Sequence, residues 1–194
     1  MTKIDLSIPC STWLTILPDV EGVVRSAGRA ALAGAGWPEE KGLPDEIGIT
    51  LADDDLLRRL NRDHRGQDRP TNVLSFPVLS AADLGRMKKR GGRMKKRGGR
   101  LKERGPDLGS QGPVLLGDVV VALATAQREA RARPAPLADH VSHLVVHGVL
   151  HLLGYDHIDE DEAIGMETLE TRILAGLGMP DPYQTTVEVA GAGR

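Results

Sequence analysis

Five of the six histidines fall between residues 140 and 157, in DHVSHLVVHGVLHLLGYDH, at spacings that suit a metal ion. His143, His147 and His151 follow one another at i, i+4 and i+8, so on a helix they share one face. Adjacent members would lie about 6 Å apart along the axis, close enough for two imidazoles to meet on one ion. His143 and His151 would lie about 12 Å apart, too far for all three to reach it from a straight helix. A third ligand must come from elsewhere. Gly154 can end the helix in a left-handed conformation and turn the chain back, which makes His157 the natural third member. The set is then H-x3-H-x5-H, with His147, His151 and His157 on a helix and turn. Three neutral imidazoles suit one Zn2+ and leave a fourth position for a water, whose pKa the metal can lower to roughly 7. Ni2+ or Cu2+ would bind the same set tightly. A closed structural zinc site takes four protein ligands, often cysteines, and Cys10 is the chain's one cysteine. The competing explanation is a helix with packed or exposed histidines and no metal.

A zinc peptidase of the H-E-x-x-H type carries its general base directly after the first histidine, and here that position is Gly148. A carboxylate for base work would have to be Asp156 or come from a distant strand. His143, one turn before His147, is a candidate for orienting the site or shuttling a proton; otherwise it is a buried polar residue with a partner. His140 reads as a surface residue.

The elements that must hold these residues follow from periodicity. Residues 19 to 35 are Ala-rich with apolar positions at helical spacing, and GAGWP ends them. DEIGITLA at 45 to 52 reads as a strand, Asp53 to Asp63 as a short helix and RGQDRP as a turn. TNVLSFPVL is a strand stopped by Pro77, and VLLGDVVVAL at 114 to 123 is the most β-branched segment of the chain. Helices are predicted at about 121 to 133, 137 to 153 and 159 to 177, the last opened by Asp159 and Glu162 at capping-box spacing. Strands early and helices late favour an α+β fold, a small mixed β-sheet with helices packed on it.

With 194 residues, 40% hydrophobic and 27% charged, the chain can bury one domain's core and is neither fibrous nor wholly disordered. No run approaches the ~18 to 20 apolar residues of a membrane helix. The opening MTKIDLSIPCSTWLTILP is mildly apolar, but Asp5 and Pro9 interrupt it and no cleavage site follows, so the expected location is the cytoplasm. One cysteine excludes an internal disulfide. The net charge of −2 hides an asymmetry: residues 86 to 104 hold eleven Lys or Arg and one Glu, which is +10 and leaves −12 elsewhere. This stretch repeats RMKKRGG twice and then degrades, with glycine breaks and one apolar residue per unit. It reads as a basic low-complexity loop, at about 80 to 112, inside a domain spanning 1 to 180, followed by a frayed tail at 181 to 194. Either a tolerated duplication or an arm that contacts polyphosphate accounts for it. Five aromatic residues are too few for the stacking platforms of dedicated single-strand readers, and Trp13 and Phe76 read as core.

HGVLHLLGYDH, with the acidic DEDEAIGMETLE after it, LNRDHRGQDRPTNVLSFP at 60 to 77 and LLGDVVVA at 115 to 122, resembles the YbeY family of bacterial endoribonucleases, or rRNA maturation factors. Order and separation of the segments agree over roughly residues 45 to 180. The resemblance implies a metal-dependent, single-strand-specific endoribonuclease acting in 3′-end maturation of small-subunit ribosomal RNA and in ribosome quality control. It implies an α+β fold with zinc on His147, His151 and His157, and partners among single-stranded RNA, the ribosome and small-subunit proteins, with no membrane and no DNA. The family's arginine of the RG turn falls on Arg65, whose planar guanidinium matches a phosphate bidentately; a salt bridge to Asp68 is the plainer role, and Arg69 is a weaker candidate. Metal-bound water and the RNA 2′-hydroxyl both fit as the attacking group. Two departures stand out: His64 occupies a position where Tyr is common, and the basic repeat lies outside the family core. Two alternatives remain: a metallopeptidase, disfavoured by Gly148, and a ribosome-associated RNA-binding factor with a structural zinc and little catalysis.

Overall fold

The computed structural model describes residues 2–37, 46–80, 82–85, 115–133, 135–157 and 159–184; the basic repeat at 86 to 104 lies outside them. In chain order the elements are β1 (Lys3–Ser7), α1 (Thr12–Ile16), α2 (Val20–Gly34), β2 (Glu46–Ala52), α3 (Asp54–Arg65), β3 (Val73–Pro77), β4 (Leu115–Ala122), α4 (Leu123–Ala132), α5 (Leu137–Leu152) and α6 (Glu160–Gly176). The four strands form one sheet in the order β1-β2-β4-β3, parallel except for β3 against β4, so the expected small mixed sheet is present.

Alternation along the strands divides the core in two. Ile47, Ile49, Leu51, Val119 and Val121 face the main cluster with α2, α5 and α6. Val120, Ala122 and Leu74 face the other way, onto Leu57 of α3. Helix α3 therefore lies on the opposite face of the sheet from α5. Its start is fixed by Asp53, which accepts a hydrogen bond from the Leu56 amide (2.8 Å), and its end by Gly66 at φ +68°.

Helix α5 is enclosed on most sides, with Val141, Val145, Val146, Val149 and Leu150 at zero exposure. Each such side chain is worth roughly 1.5–3 kcal/mol of burial. This enclosure corrects the surface assignment of His140, which is 7% exposed and lies 2.9 Å through Nε2 from Glu129 Oε2 on α4. Burial, only partly offset by Glu129, holds its pKa below the usual histidine value. Trp13 is buried as expected, its indole donating to the Ala52 carbonyl (3.0 Å); Phe76 is half-buried and meets the His64 ring edge-on.

Strand β1 and helix α1 had no assigned element in the opening segment. The charged residue that seemed to break the run, Asp5, sits on the alternate face of KIDLS while Ile4 is buried, the pattern of a half-buried strand. Among the described residues, no helix is long and apolar enough to cross a membrane. The frayed tail expected from 181 onward does not hold for its first four residues. Thr171 donates to Asp181 (3.1 Å), Arg133 to the Pro182 carbonyl (3.3 Å), and Tyr183 bonds to α6. Residues 185 to 194 lie outside the described ones.

Candidate metal centre

The last turn of α5 closes on the anticipated glycine. Gly154 takes φ +82°, its amide donates to the His151 carbonyl (3.0 Å) and the Tyr155 amide to the Leu150 carbonyl (3.1 Å). This pairing satisfies the helix's final carbonyls and sends the chain back over them. His157 is thereby returned beside the helix, its ring 5.5 Å from that of His147 and 5.0 Å from that of His151. One nitrogen from each of His147, His151 and His157 lies within 4.8 Å of the others, so the three could hold a metal ion.

The hydrogen bonds behind the rings decide which nitrogens face each other. His147 Nδ1 donates to Glu170 Oε1 (2.8 Å) and His151 Nδ1 to the Tyr155 carbonyl (2.9 Å). A carboxylate and a carbonyl only accept, so both Nδ1 atoms carry the proton and both Nε2 atoms present lone pairs. Those lone pairs stand 3.1 Å apart. Without a cation between them this contact is repulsive. On tetrahedral zinc, with Zn–N near 2.0–2.1 Å, two ligand nitrogens lie roughly 3.3 Å apart. Burial, with His147 and His157 alongside, lowers His151 to about 4, which favours its neutral, metal-binding form. The donor set thus fits a divalent ion of the zinc class.

Behind His147 stands a residue that the sequence reading missed. Glu170 on α6 has no solvent exposure and accepts from His147 Nδ1, from His143 Nε2 (3.1 Å) and from the Tyr183 hydroxyl. Burial alone would raise its carboxyl; the three hydrogen bonds overcome that and hold it at about 2. Partial burial of its hydroxyl and the adjacent carboxylate push the Tyr183 phenol above its ordinary value. The carboxylate serving the site therefore comes from a helix and not a distant strand, while Asp156 caps the His157 amide (2.8 Å). A signal was available: Met166, Leu169, Ile173 and Leu174 form the buried stripe of α6, and Glu170 sits on that stripe. His143 is drawn into this network through Nε2; its Nδ1 is buried with no hydrogen-bond partner among the described residues.

Gly148 marks a close approach of α5 to the sheet. A Cβ there would stand 2.6 Å from Val119 Cγ1 and 3.2 Å from Ser75 Oγ, while Ser75 donates to the Gly148 carbonyl (3.1 Å). The position that bears the peptidase glutamate has no room for a side chain. Gly148→Ala is expected to lose about 1–3 kcal/mol of unfolding free energy, read from a denaturant titration. An unchanged midpoint would mean that β-branched Val119 and the helix yield freely.

A cavity of about 290 Å³ opens onto His143, His147 and His157, with Asn72, Glu170 and Arg133 also in its wall. Arg65 does not line it. Arg65 is the exposed last residue of α3 and makes no hydrogen bond or ion pair among the described residues; Arg58 takes Asp68 instead, at 2.7 and 2.8 Å. Arg69 folds onto Gln67 (3.1 and 3.2 Å).

A family model described as Endoribonuclease YbeY matches residues 17–178. Endoribonuclease YbeY of Paramagnetospirillum magneticum is 45% identical over 184 residues, 93% of this chain and 95% of its own length. Its namesake in Rhodospirillum rubrum is 47% identical over 88% of this chain and 76% of its own, and that of Azorhizobium caulinodans 43% over 96% and 99%. A solution structure from Thermotoga maritima aligns over 94% of this chain and all of its own at 18% identity, with a TM-score of 0.45.

Proposed function

The chain belongs to the YbeY endoribonuclease family, and on that premise we propose that it is a metal-dependent endoribonuclease cutting single-stranded RNA. Its proposed setting is 3′-end maturation of small-subunit ribosomal RNA and ribosome quality control, in the cytoplasm, with the ribosome or small-subunit proteins as partners. The observation that carries the metal dependence is the 3.1 Å approach of two imidazole nitrogens whose other nitrogens are already committed. One Zn2+ on His147, His151 and His157 would supply Lewis-acid polarisation of a phosphoryl oxygen. The cavity beside His147 and His157 leaves substrate an approach, which disfavours the alternative of a closed structural zinc.

The protein's own groups then have distinct tasks. Glu170 fixes the tautomer and ring orientation of His147. His143, with Nε2 committed to Glu170, positions that carboxylate. Arg65, outside the cavity wall and without a carboxylate partner among the described residues, is assigned to phosphate oxygens of an RNA strand that runs past the end of α3. The family match runs across the basic repeat, which supports one domain with an insertion.

The test is cleavage of a labelled rRNA fragment, single-stranded or annealed to its complement, with metal content assayed on the same sample. Cleavage confined to the single strand and removed by chelation is the expected result, with Arg65→Ala keeping its metal and losing most of the rate. Tight RNA binding by metal-replete protein with no cleavage would favour the binding-factor alternative.

A further inference from the structure

Among the described residues lining the cavity beside the histidines, Arg133 is the one Lys or Arg. It also lines a second cavity of about 290 Å³, which shares His143 and has Leu174, Met179 and Pro182 in its wall beside two carboxylates, Asp139 and Asp181, the latter already accepting from Thr171 and the Tyr183 amide. Arg133 is thus shared by the metal-site cavity and an adjoining one. Its backbone is anchored: it follows the last residue of α4, and its amide donates to the Glu129 carbonyl (3.1 Å). The nearby Glu129 carboxylate is already taken by Asn72 Nδ2 (3.0 Å) and His140 Nε2 (2.9 Å). The Arg133 guanidinium spends one donor on the Pro182 carbonyl and forms no ion pair among the described residues. A guanidinium carries five donors, so most of the capacity of this exposed side chain is left for a ligand. Among the described residues the first cavity's wall also holds the carboxylates Glu167 and Glu170, so Arg133 is the one fixed cation there that a polyanion can meet.

We propose that Arg133 holds the backbone phosphate of the RNA nucleotide next to the cleaved bond, and that the cavity beyond it, against Leu174, Met179 and Pro182, receives that nucleotide. This rests on the endoribonuclease reading. A single strand laid across the histidines carries phosphates at each nucleotide step, and the neighbouring one needs a fixed cation if the scissile one is to stay at the metal. An arginine serves as that cation with geometric selectivity for phosphate. The apolar wall gives a base face a surface without reading its edge, in keeping with loose sequence preference.

The test compares wild type, Arg133→Gln and Arg133→Lys, all metal-replete, on a single-stranded RNA oligonucleotide. Equilibrium binding of the 2′-O-methyl form of the same oligonucleotide is followed across a salt series. Gln keeps an N–H for the Pro182 carbonyl but loses the charge. Arg133→Gln is expected to raise KM and the binding Kd roughly tenfold with kcat within about twofold, as for a contact made equally in ground and transition states. The slope of log affinity against log salt should fall by about 0.7, one phosphate contact on a single strand. Arg133→Lys should restore the slope and part of the affinity. Unchanged KM and slope in Arg133→Gln would overturn the proposal, as would weaker binding with an unaltered slope, the result of merely loosening Asp181–Gln184. If wild type neither binds nor cuts the RNA, the endoribonuclease reading itself falls; if wild type cuts and Arg133→Gln matches it, only this inference does.

Discussion

His147→Ala is expected to leave the protein folded, strip its metal and reduce RNA cleavage to background, on the order of 1,000-fold or more. The size follows from removing Lewis-acid assistance worth several kcal/mol, at 1.36 kcal/mol per factor of ten. The His147 side chain is partly exposed, so its truncation opens no sealed cavity. It does remove one of three donors from buried Glu170, and a loss of about 1–3 kcal/mol in stability should accompany it. His157→Ala separates that side effect from the chemistry. Its side chain is 55% exposed and makes no hydrogen bond to Glu170, so metal and activity should fall while the melting temperature matches that of metal-free wild type. Metal analysis, melting and cleavage on the same preparations check this. Full cleavage by metal-free His147→Ala would point to a contaminating nuclease and remove the catalytic assignment.

Glu170→Gln is expected to weaken metal binding by about 10- to 100-fold, the usual effect of losing a carboxylate behind a ligating histidine. The variant keeps the side chain's volume but not its charge. Its one carbonyl oxygen cannot serve the donors of His143, His147 and Tyr183 together, and its amide group must face at least one of them. With His147 free to turn, the ion dissociates more readily, so activity at limiting metal should fall in step with occupancy and recover largely in excess metal. Titrating apoprotein with Zn2+ against a competing chelator measures the shift. A purely structural Glu170 would lower the melting temperature and leave the metal affinity where it was.

The candidate metal ligands were legible because their geometry is local. Two of them sit one helical turn apart, and the third is returned by Gly154, whose positive φ a sequence can announce. The sheet and late helices were legible for the same reason, since period and capping are read within a dozen residues. What escaped depends on the tertiary arrangement. Glu170 was hidden in plain view as one acid among many in DEDEAIGMETLE, although its place on an apolar stripe set it apart. His140 was misplaced because nothing local says that α4 will bring Glu129 against it. Strand β1 was missed because a five-residue alternation beginning with lysine looks like an interrupted apolar run until its parallel pairing with β2, more than forty residues on, is known. Tyr183 could not have been assigned from sequence at all: its role exists only through the fold-back of Asp181–Gln184 onto α6.

Chain order has a consequence for how this protein comes into being. Glu170 lies 23 residues after His147, and Tyr183 a further 13 after Glu170. Synthesis proceeds from the N-terminus, so the histidines of α5 emerge first, onto a sheet whose strands are all already made. At that stage the rings exist without the carboxylate that orients one of them or the phenol that holds the carboxylate. Completion of the centre therefore waits on the final helix, and the newborn polypeptide passes through a period in which it has its histidine cluster but not the groups that aim it.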